Sequence, residues 1–133
     1  MSHIHTLRVY YEDTDLAGIV YYANYLKFIE RARTEWVREI GIDQTRLKQE
    51  HNLVFAVRRV EADFAKAARF DDQLSVRTDL LTASGARLSL QQDVLRGDDL
   101  LFSSKVMLVC LTEAGRPTRL PAEIRHLFVG DTQ

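Results

Sequence analysis

NYLKFIERARTEWVREIG, Asn24 to Gly41, decides the fold. Tyr25, Ile29, Ala32, Trp36 and Ile40 recur at three- and four-residue spacing, the period of a helix with one broad apolar face. Asn24 is suited to cap its start and Gly41 to end it. A helix of about 17 residues is about 25 Å long, close to the ~30 Å of a nine- or ten-residue strand, so a curved antiparallel sheet can wrap along it. The aromatic side chains on its stripe read as packing, because the stripe alone explains them.

Before the helix, His5 to Asp13 sets Leu7, Val9 and Tyr11 against Thr6, Arg8 and Tyr10, the period of a half-buried strand. After it, Asp43 to His51 reads as a short second helix or irregular turn, with Asp43 as its cap. From Val54 the period is two. Val60, Ala62 and Phe64 oppose Arg59, Glu61 and Asp63, and Leu74, Val76 and Leu80 oppose Ser75, Arg77 and Asp79. Leu88, Leu90 and Val94 continue the theme, and Leu100 to Leu111 ends in the apolar run Val106 to Leu111. Asp71-Asp72, Ser84-Gly85 and Gly97-Asp98-Asp99 favour hairpins and hence antiparallel neighbours. Gly115-Arg116-Pro117 closes the last strand, and Gly130 to Gln133 is expected to fray. No repeat or linker divides the chain, so residues 1–133 are expected to form one α+β domain. One helix covers one face of such a sheet, whereas Val106 to Leu111 presents apolar side chains to both. This predicts a homodimer or homotetramer, with a loop of the same chain folding over the run as the alternative.

A chain of 133 residues, 46% hydrophobic, is enough for one core, and its formal charge of -1 argues against a general nucleic-acid binder. The single cysteine, Cys110, cannot form an internal disulfide. With no signal peptide and no apolar run long enough to span a bilayer, the expected location is cytoplasmic.

Chemistry is expected in YYEDTDLAGIVYYANYLKF, Tyr10 to Phe28, where Asp15 lies in a turn ahead of the helix. The first N–H groups of a helix lack intrahelical acceptors and sit at the positive end of its dipole, so they can stabilise an oxyanion beside an acidic base or nucleophile. A plain capping turn is the alternative. Asp13, two residues earlier, either holds the turn through side-chain to backbone hydrogen bonds or raises the pKa of Asp15 by like charge; the former fits better.

Asp15, the following Ala17-Gly18-Ile19-Val20, then Tyr22, Asn24 and Tyr25 resemble the signature of the 4-hydroxybenzoyl-CoA thioesterase family, which includes the Tol-Pal-associated acyl-CoA thioesterases. The resemblance continues through Phe28, Glu30 to Arg33 and Trp36, and through Ala68 to Asp72, so it spans nearly the whole chain. It implies a hotdog fold, an antiparallel sheet wrapped around one long central helix. It also implies hydrolysis of an acyl-CoA thioester to free acid and coenzyme A, without a metal or other cofactor. By position, Asp15 becomes the catalytic carboxylate and the Tyr22 N–H the polariser of the carbonyl. Tyr22 stands where the Tol-Pal-associated members carry His and the hydroxybenzoyl type carries Tyr. An association with envelope machinery follows from the same resemblance, as does the other reading of the chain, an idle acyl-CoA-binding or scaffold hotdog protein.

Around that site, Asn24 is a candidate for ordering the turn or a water, and Tyr22, Tyr25 and Phe64 for lining an acyl pocket. Arg58, Arg59, Lys66, Arg69 and Arg87 are candidates for the coenzyme A phosphates. Arg58 interrupts an apolar alternation and so points to an interface or site. The hydroxybenzoyl-type enzymes have a basic cluster where this chain reads Thr82-Ala83-Ser84-Gly85-Ala86, so those contacts do not transfer. A related branch of hotdog thioesterases uses a helix glutamate, which brings in Glu30 and Glu35, although pairing of Arg31 with Glu35 explains the latter. Other chemistries fit less well. Ala17 and Asn24 break a calcium loop, His3 and His5 lack a third metal ligand, and Cys110 lacks an activating His. No phosphate-cradling glycine loop is present.

Overall fold

The computed structural model describes residues 2–130. The chain runs β1 (His3–Arg8), a 3-10 turn (Tyr11–Asp13), α1 (Asn24–Glu39), α2 (Gln44–His51), β2 (Leu53–Phe64), β3 (Gln73–Ser84), β4 (Arg87–Arg96), β5 (Asp99–Thr112) and α3 (Ala122–Gly130). The strands form one sheet in the order β1-β3-β4-β5-β2, every pairing antiparallel. The two-residue loops Gly85-Ala86 and Gly97-Asp98 join β3 to β4 and β4 to β5. Both glycines have φ +60, the left-handed conformation such tight hairpins require.

The long helix lies on the sheet as its stripe dictates. Tyr25, Phe28, Ile29, Ala32, Trp36 and Val37 are buried, against Leu74 and Val76 of β3, Leu88, Leu90 and Val94 of β4, and Phe102, Val106 and Leu108 of β5. This is the α+β hotdog arrangement expected from the sequence. Gly41, at φ +100, ends the helix, and Asp43 caps α2 by accepting from the N–H groups of Thr45 and Arg46.

Several local expectations are corrected. Asn24 is the first residue of α1 rather than its cap, and its side chain makes no capping bond. The first strand stops at Arg8, because the Tyr10 N–H turns onto the Asp13 carboxylate at 2.8 Å and starts the 3-10 turn. His3 and His5 are half-buried against α1, and the His3 Nε2 lies 2.7 Å from Glu39 Oε2. Asp71-Asp72 does not join β2 to β3 as a hairpin, since those strands are not neighbours. Instead, the Asp71 N–H donates to the Val9 carbonyl and the Val9 N–H to that of Asp72, tying the entry of β3 to the exit of β1.

The interruption at Arg58 has a backbone cause. Val57 pairs with Leu108 and Arg59 with Met107, so Arg58 is the extra residue of a β-bulge. The apolar run of β5 is covered within its own chain: Val106, Leu108, Val109 and Cys110 are buried. After the end of β5 the chain folds back along it, with the Thr118 N–H on the Cys110 carbonyl and the Leu120 N–H on that of Gly85. The unpartnered apolar surface is on the edge strand β2, where every residue from Val57 to Phe64 is exposed. Helix α3 has no counterpart in the sequence reading. Its Phe128 is fully buried, with ring centroids 5.3 Å from Trp36 and 5.7 Å from Phe55. Ile124, Leu127 and Phe128 after Pro121 carried the signal, a helical spacing only two turns long. Of the segment expected to fray, Gly130 closes α3, and residues 131–133 lie outside the described residues.

Candidate active site

Asp13 builds the loop on which the site rests. Its carboxylate accepts from the Tyr10 N–H at 2.8 Å. Its carbonyl accepts from the Tyr21 N–H at 2.9 Å and from the Asn24 side-chain amide at 2.9 Å. Buried itself, Asp13 therefore joins the loop to the first residue of α1, the turn-holding role expected of it. Asn24 is the fastener: its side chain braces the loop instead of capping the helix.

Between Asp13 and Tyr21 the chain makes a small hairpin. Thr14 bridges Val20, the Asp15 N–H donates to the Ile19 carbonyl, and the Gly18 N–H returns to the Asp15 carbonyl. Gly18 takes φ +81, a conformation that strains any residue with a Cβ. Asp15 thus lies on a hairpin folded back beside the helix start rather than directly ahead of it. Its Oδ1 accepts from the Ala17 N–H at 2.9 Å, while Oδ2 has no partner among the described residues. Asp15 is exposed on the single chain. In the first turn of α1 the N–H groups of Asn24, Tyr25 and Leu26 bond to Tyr21, Tyr22 and Ala23, whereas those of Tyr22 and Ala23 have no acceptor among the described residues. These are the free donors expected of a helix start.

An aromatic cluster flanks them. The exposed Tyr22 and Phe64 rings meet edge-to-face at 6.0 Å, and Phe64 also contacts Tyr25 at 5.7 Å and Phe102 at 5.1 Å. Tyr25 is buried and stacks on Phe102, and its hydroxyl accepts from the Ala68 N–H at 3.1 Å. Burial, only partly offset by that N–H, pushes its phenol above the ordinary value, so it stays a neutral acceptor.

The basic candidates separate. Lys66 and Arg69 follow β2 at the same end of the sheet, Lys66 paired with Asp99 at 3.4 Å and Arg69 bridged to Ile19. Arg58 and Arg59 lie farther back along β2, exposed, with Arg59 on Glu61 at 2.8 Å. Arg87 pairs with Val109, which pairs with Ala56, eight residues from Phe64. At ~3.3 Å per residue that is about 26 Å away, so one chain does not bring Arg87 to Asp15. Glu35 pairs with Arg38, not Arg31. Glu30 is exposed, taking the Thr34 hydroxyl at 3.2 Å. Burial raises the pKa of the Cys110 thiol, as expected of a small hydrophobe. Among the described residues no His, Cys, Asp and Glu cluster is placed to hold a metal ion.

Asp72 and Arg96, at the ends of β3 and β4, brace the wall behind the loop. Arg96 Nη1 donates to Asp72 Oδ2 at 2.9 Å and to the Ala67 carbonyl at 3.3 Å. Burial alone would raise the Asp72 carboxyl, but the Arg69 N–H and the Arg96 guanidinium outweigh it and hold the pKa below 3.8. A depressed carboxyl contributes stability that is present above its unfolded pKa and is lost as pH falls through the folded one. Asp72→Asn should therefore lower stability by about 1 kcal/mol at pH 7. The difference from wild type should vanish as pH is lowered below 3.8, as followed by urea unfolding across pH.

Residues 9–128 match the thioesterase-like superfamily. The sequence is 39% identical to acyl-CoA thioesterase YbgC of Haemophilus influenzae over 124 residues, 92% of this chain and 90% of that protein. A crystal structure of a probable thioesterase from Bartonella henselae superposes with a TM-score of 0.87 at 38% identity, covering 91% of this chain and all of that one. At 23% identity, a 4-hydroxybenzoyl CoA thioesterase shares the fold, with a TM-score of 0.87 over 95% of this chain and 97% of its own.

Proposed function

This chain belongs to the thioesterase-like superfamily and is an acyl-CoA thioester hydrolase, and on that premise we propose that Asp15 and the Tyr22 N–H perform the chemistry. The observation that carries this reading is a carboxylate oxygen and a helix-start N–H on one braced loop, neither of them with a partner among the described residues. With the thioester carbonyl on the Tyr22 N–H, its carbon is electron-poor. As general base, Asp15 takes a proton from water as the water oxygen bonds to that carbon. The tetrahedral oxyanion rests on the N–H; its collapse breaks the C–S bond, and the coenzyme A thiolate leaves and is protonated. As nucleophile, Asp15 bonds to the carbon itself, the same thiolate leaves, and water hydrolyses the mixed anhydride. Oxygen-18 from solvent in the Asp15 carboxylate after a single turnover identifies the second route.

The test of the site is thiol release from acyl-CoA by wild type and Asp15→Asn. Asn24 keeps the loop in register, and Tyr22 and Phe64, with Tyr25 behind them, face the acyl group. Lys66 and Arg69, with Arg58 and Arg59 along β2, supply positive charge for the coenzyme A phosphates. Arg87 joins them only from another subunit.

An exposed Asp15 and an exposed apolar edge strand both support self-association. Val57 and Val60 of β2 are 47% and 37% exposed on a strand that among the described residues has a sheet neighbour, β5, on one side only, an edge that a second copy would cover. In sedimentation velocity the protein should run at two or four times its chain mass of 15.3 kDa, and Val60→Asp should shift it toward a single chain. No helix among the described residues is long and apolar enough to cross a membrane. The free Cys110 is consistent with the reducing cytoplasm, the location this reading favours.

A further inference from the structure

We propose that the Tyr25 hydroxyl is a positioning group, which sets the place of the Asp15 hairpin relative to the helix start that carries the Tyr22 N–H. The proposal rests on the roles given above to Asp15 and to that N–H.

The hairpin that carries Asp15 leans on a strip of chain that belongs to none of the five strands, since β2 ends at Phe64 and β3 begins at Gln73. In that strip the Ala68 carbonyl accepts from the Val20 N–H at 2.8 Å, and Arg69 forms a bridge with Ile19. Val20 pairs in turn with Thr14, and the Ile19 carbonyl accepts from the Asp15 N–H at 2.9 Å. The position of residues 67–69 therefore fixes that of Asp15. The strip is itself pinned at three successive residues. Arg96 Nη1 donates to the Ala67 carbonyl at 3.3 Å, the Ala68 N–H donates to the Tyr25 hydroxyl at 3.1 Å, and the Arg69 N–H donates to Asp72 Oδ2 at 2.9 Å. The outer two pins come from the end of β4 and the turn before β3, so they tie the strip to the sheet. The middle one comes from the helix.

Tyr25 is the second residue of α1, and its N–H donates to the Tyr22 carbonyl. A continuous run of bonds thus leads from the turn of helix that holds the Tyr22 N–H, through the Tyr25 hydroxyl, Ala68 and Val20, to the hairpin of Asp15. Asn24 and Tyr25 divide the task. The Asn24 amide holds the incoming arm of the hairpin at the Asp13 carbonyl, and the Tyr25 hydroxyl holds the returning arm through Ala68. Packing alone does not require that hydroxyl. Tyr25 is buried, parallel to Phe102 and edge-on to Phe28 at 5.9 Å, and a phenylalanine would fill the place without carrying a polar atom into the core. A phenylalanine would leave the N–H of the fully buried Ala68 without its acceptor. The strip would then be tied to the sheet but not to the helix, and Asp15 and the Tyr22 N–H would lose their common reference.

The test is kcat and KM for thiol release from a short-chain acyl-CoA by wild type, Tyr25→Phe, Asp15→Asn, the double variant and Phe28→Leu. Tyr25→Phe should lower kcat about 10- to 100-fold, the loss that a shift of up to ~1 Å at a reacting group brings, with KM within about twofold. Added to Asp15→Asn it should cost nothing further, because residues that act as a unit are not additive. Phe28→Leu thins the packing around Tyr25 and keeps its hydroxyl, so it should lower the unfolding midpoint with kcat within about twofold of wild type. In wild type the Ala68 and Val20 amides should exchange slowly with solvent, and Tyr25→Phe should speed both. Wild-type kcat in Tyr25→Phe, a double-variant loss equal to the product of the two single losses, or an equal loss of kcat in Phe28→Leu overturns the proposal. Fast exchange at Ala68 or Val20 in wild type also overturns it, and exchange decides if Tyr25→Phe does not fold. Full turnover by Asp15→Asn removes the catalytic assignment and this proposal with it, whereas an inactive Asp15→Asn beside a fully active Tyr25→Phe removes only the role of the hydroxyl.

Discussion

Asp15→Asn should lower kcat for thiol release about 10²- to 10⁴-fold, the range lost with a positioned general base, and should leave the unfolding midpoint unchanged. Asparagine is the informative replacement because of what the Asp15 carboxylate does in the loop. One oxygen accepts from the Ala17 N–H, a bond the amide oxygen of Asn can keep, and the other has no partner among the described residues. The hairpin from Thr14 to Val20 therefore persists, held by its own backbone bonds and by Asp13 and Asn24. Only the charge and its proton-accepting capacity are lost. If Asp15 were merely a turn residue, Asn would substitute at no cost, since Asn and Asp make the same turn. The two readings thus differ by at least ~10²-fold at one position. Equal turnover by both proteins, measured as free thiol from a short-chain acyl-CoA, would reject the site.

The long helix was legible because burial there is one-sided: the stripe from Tyr25 to Trp36 is what the sheet covers. The two-residue hairpins were legible because Gly85 and Gly97 adopt positive φ. β2 was legible as a strand but not as an exposed edge, since its alternation of Val60, Ala62 and Phe64 looks the same whether this chain or another covers it. Arg58 carried a real signal whose backbone cause the sequence does not show, because an extra residue in a bulge breaks an alternation just as an interface residue does. Asn24 was misread as a cap because capping depends on backbone geometry one residue away: Ala23 holds the cap position in helical conformation, which frees Asn24 to brace the loop. Asp15 was singled out by a resemblance, and its free oxygen is a feature that only coordinates reveal. On one chain Arg87 lies a strand's length from Asp15 for a topological reason, since β4 starts at the far end of the sheet and sequence distance carries no direction.

Gln92 escaped the sequence reading altogether, and its replacement should have the largest effect on stability. It sits in the middle of β4, fully buried, paired across the sheet with Thr78 and Ser104. Its amide donates to the Ile29 carbonyl and the Thr78 hydroxyl, each at 2.9 Å, and its side-chain oxygen accepts from Arg33 Nη1 at 2.8 Å. One side chain thus fastens two positions of α1 to the central strands. Leucine in its place fills a similar volume but leaves a helix carbonyl, a buried hydroxyl and a guanidinium without their partner. Burial already pulls the Arg33 pKa below its ordinary value, against a smaller opposing effect of Glu30, so its charge is poorly solvated. Gln92→Leu should cost about 3–5 kcal/mol, the range for breaking a buried network that includes a charge. Denaturant unfolding would read this as a lower midpoint at unchanged slope. Adding Arg33→Met should recover part of the loss, because it removes the stranded charge, and the double-mutant cycle would measure that coupling. A loss below about 1 kcal/mol in Gln92→Leu would mean that water replaces the amide, and that apolar packing alone sets the position of α1 and of the Tyr22 N–H it carries.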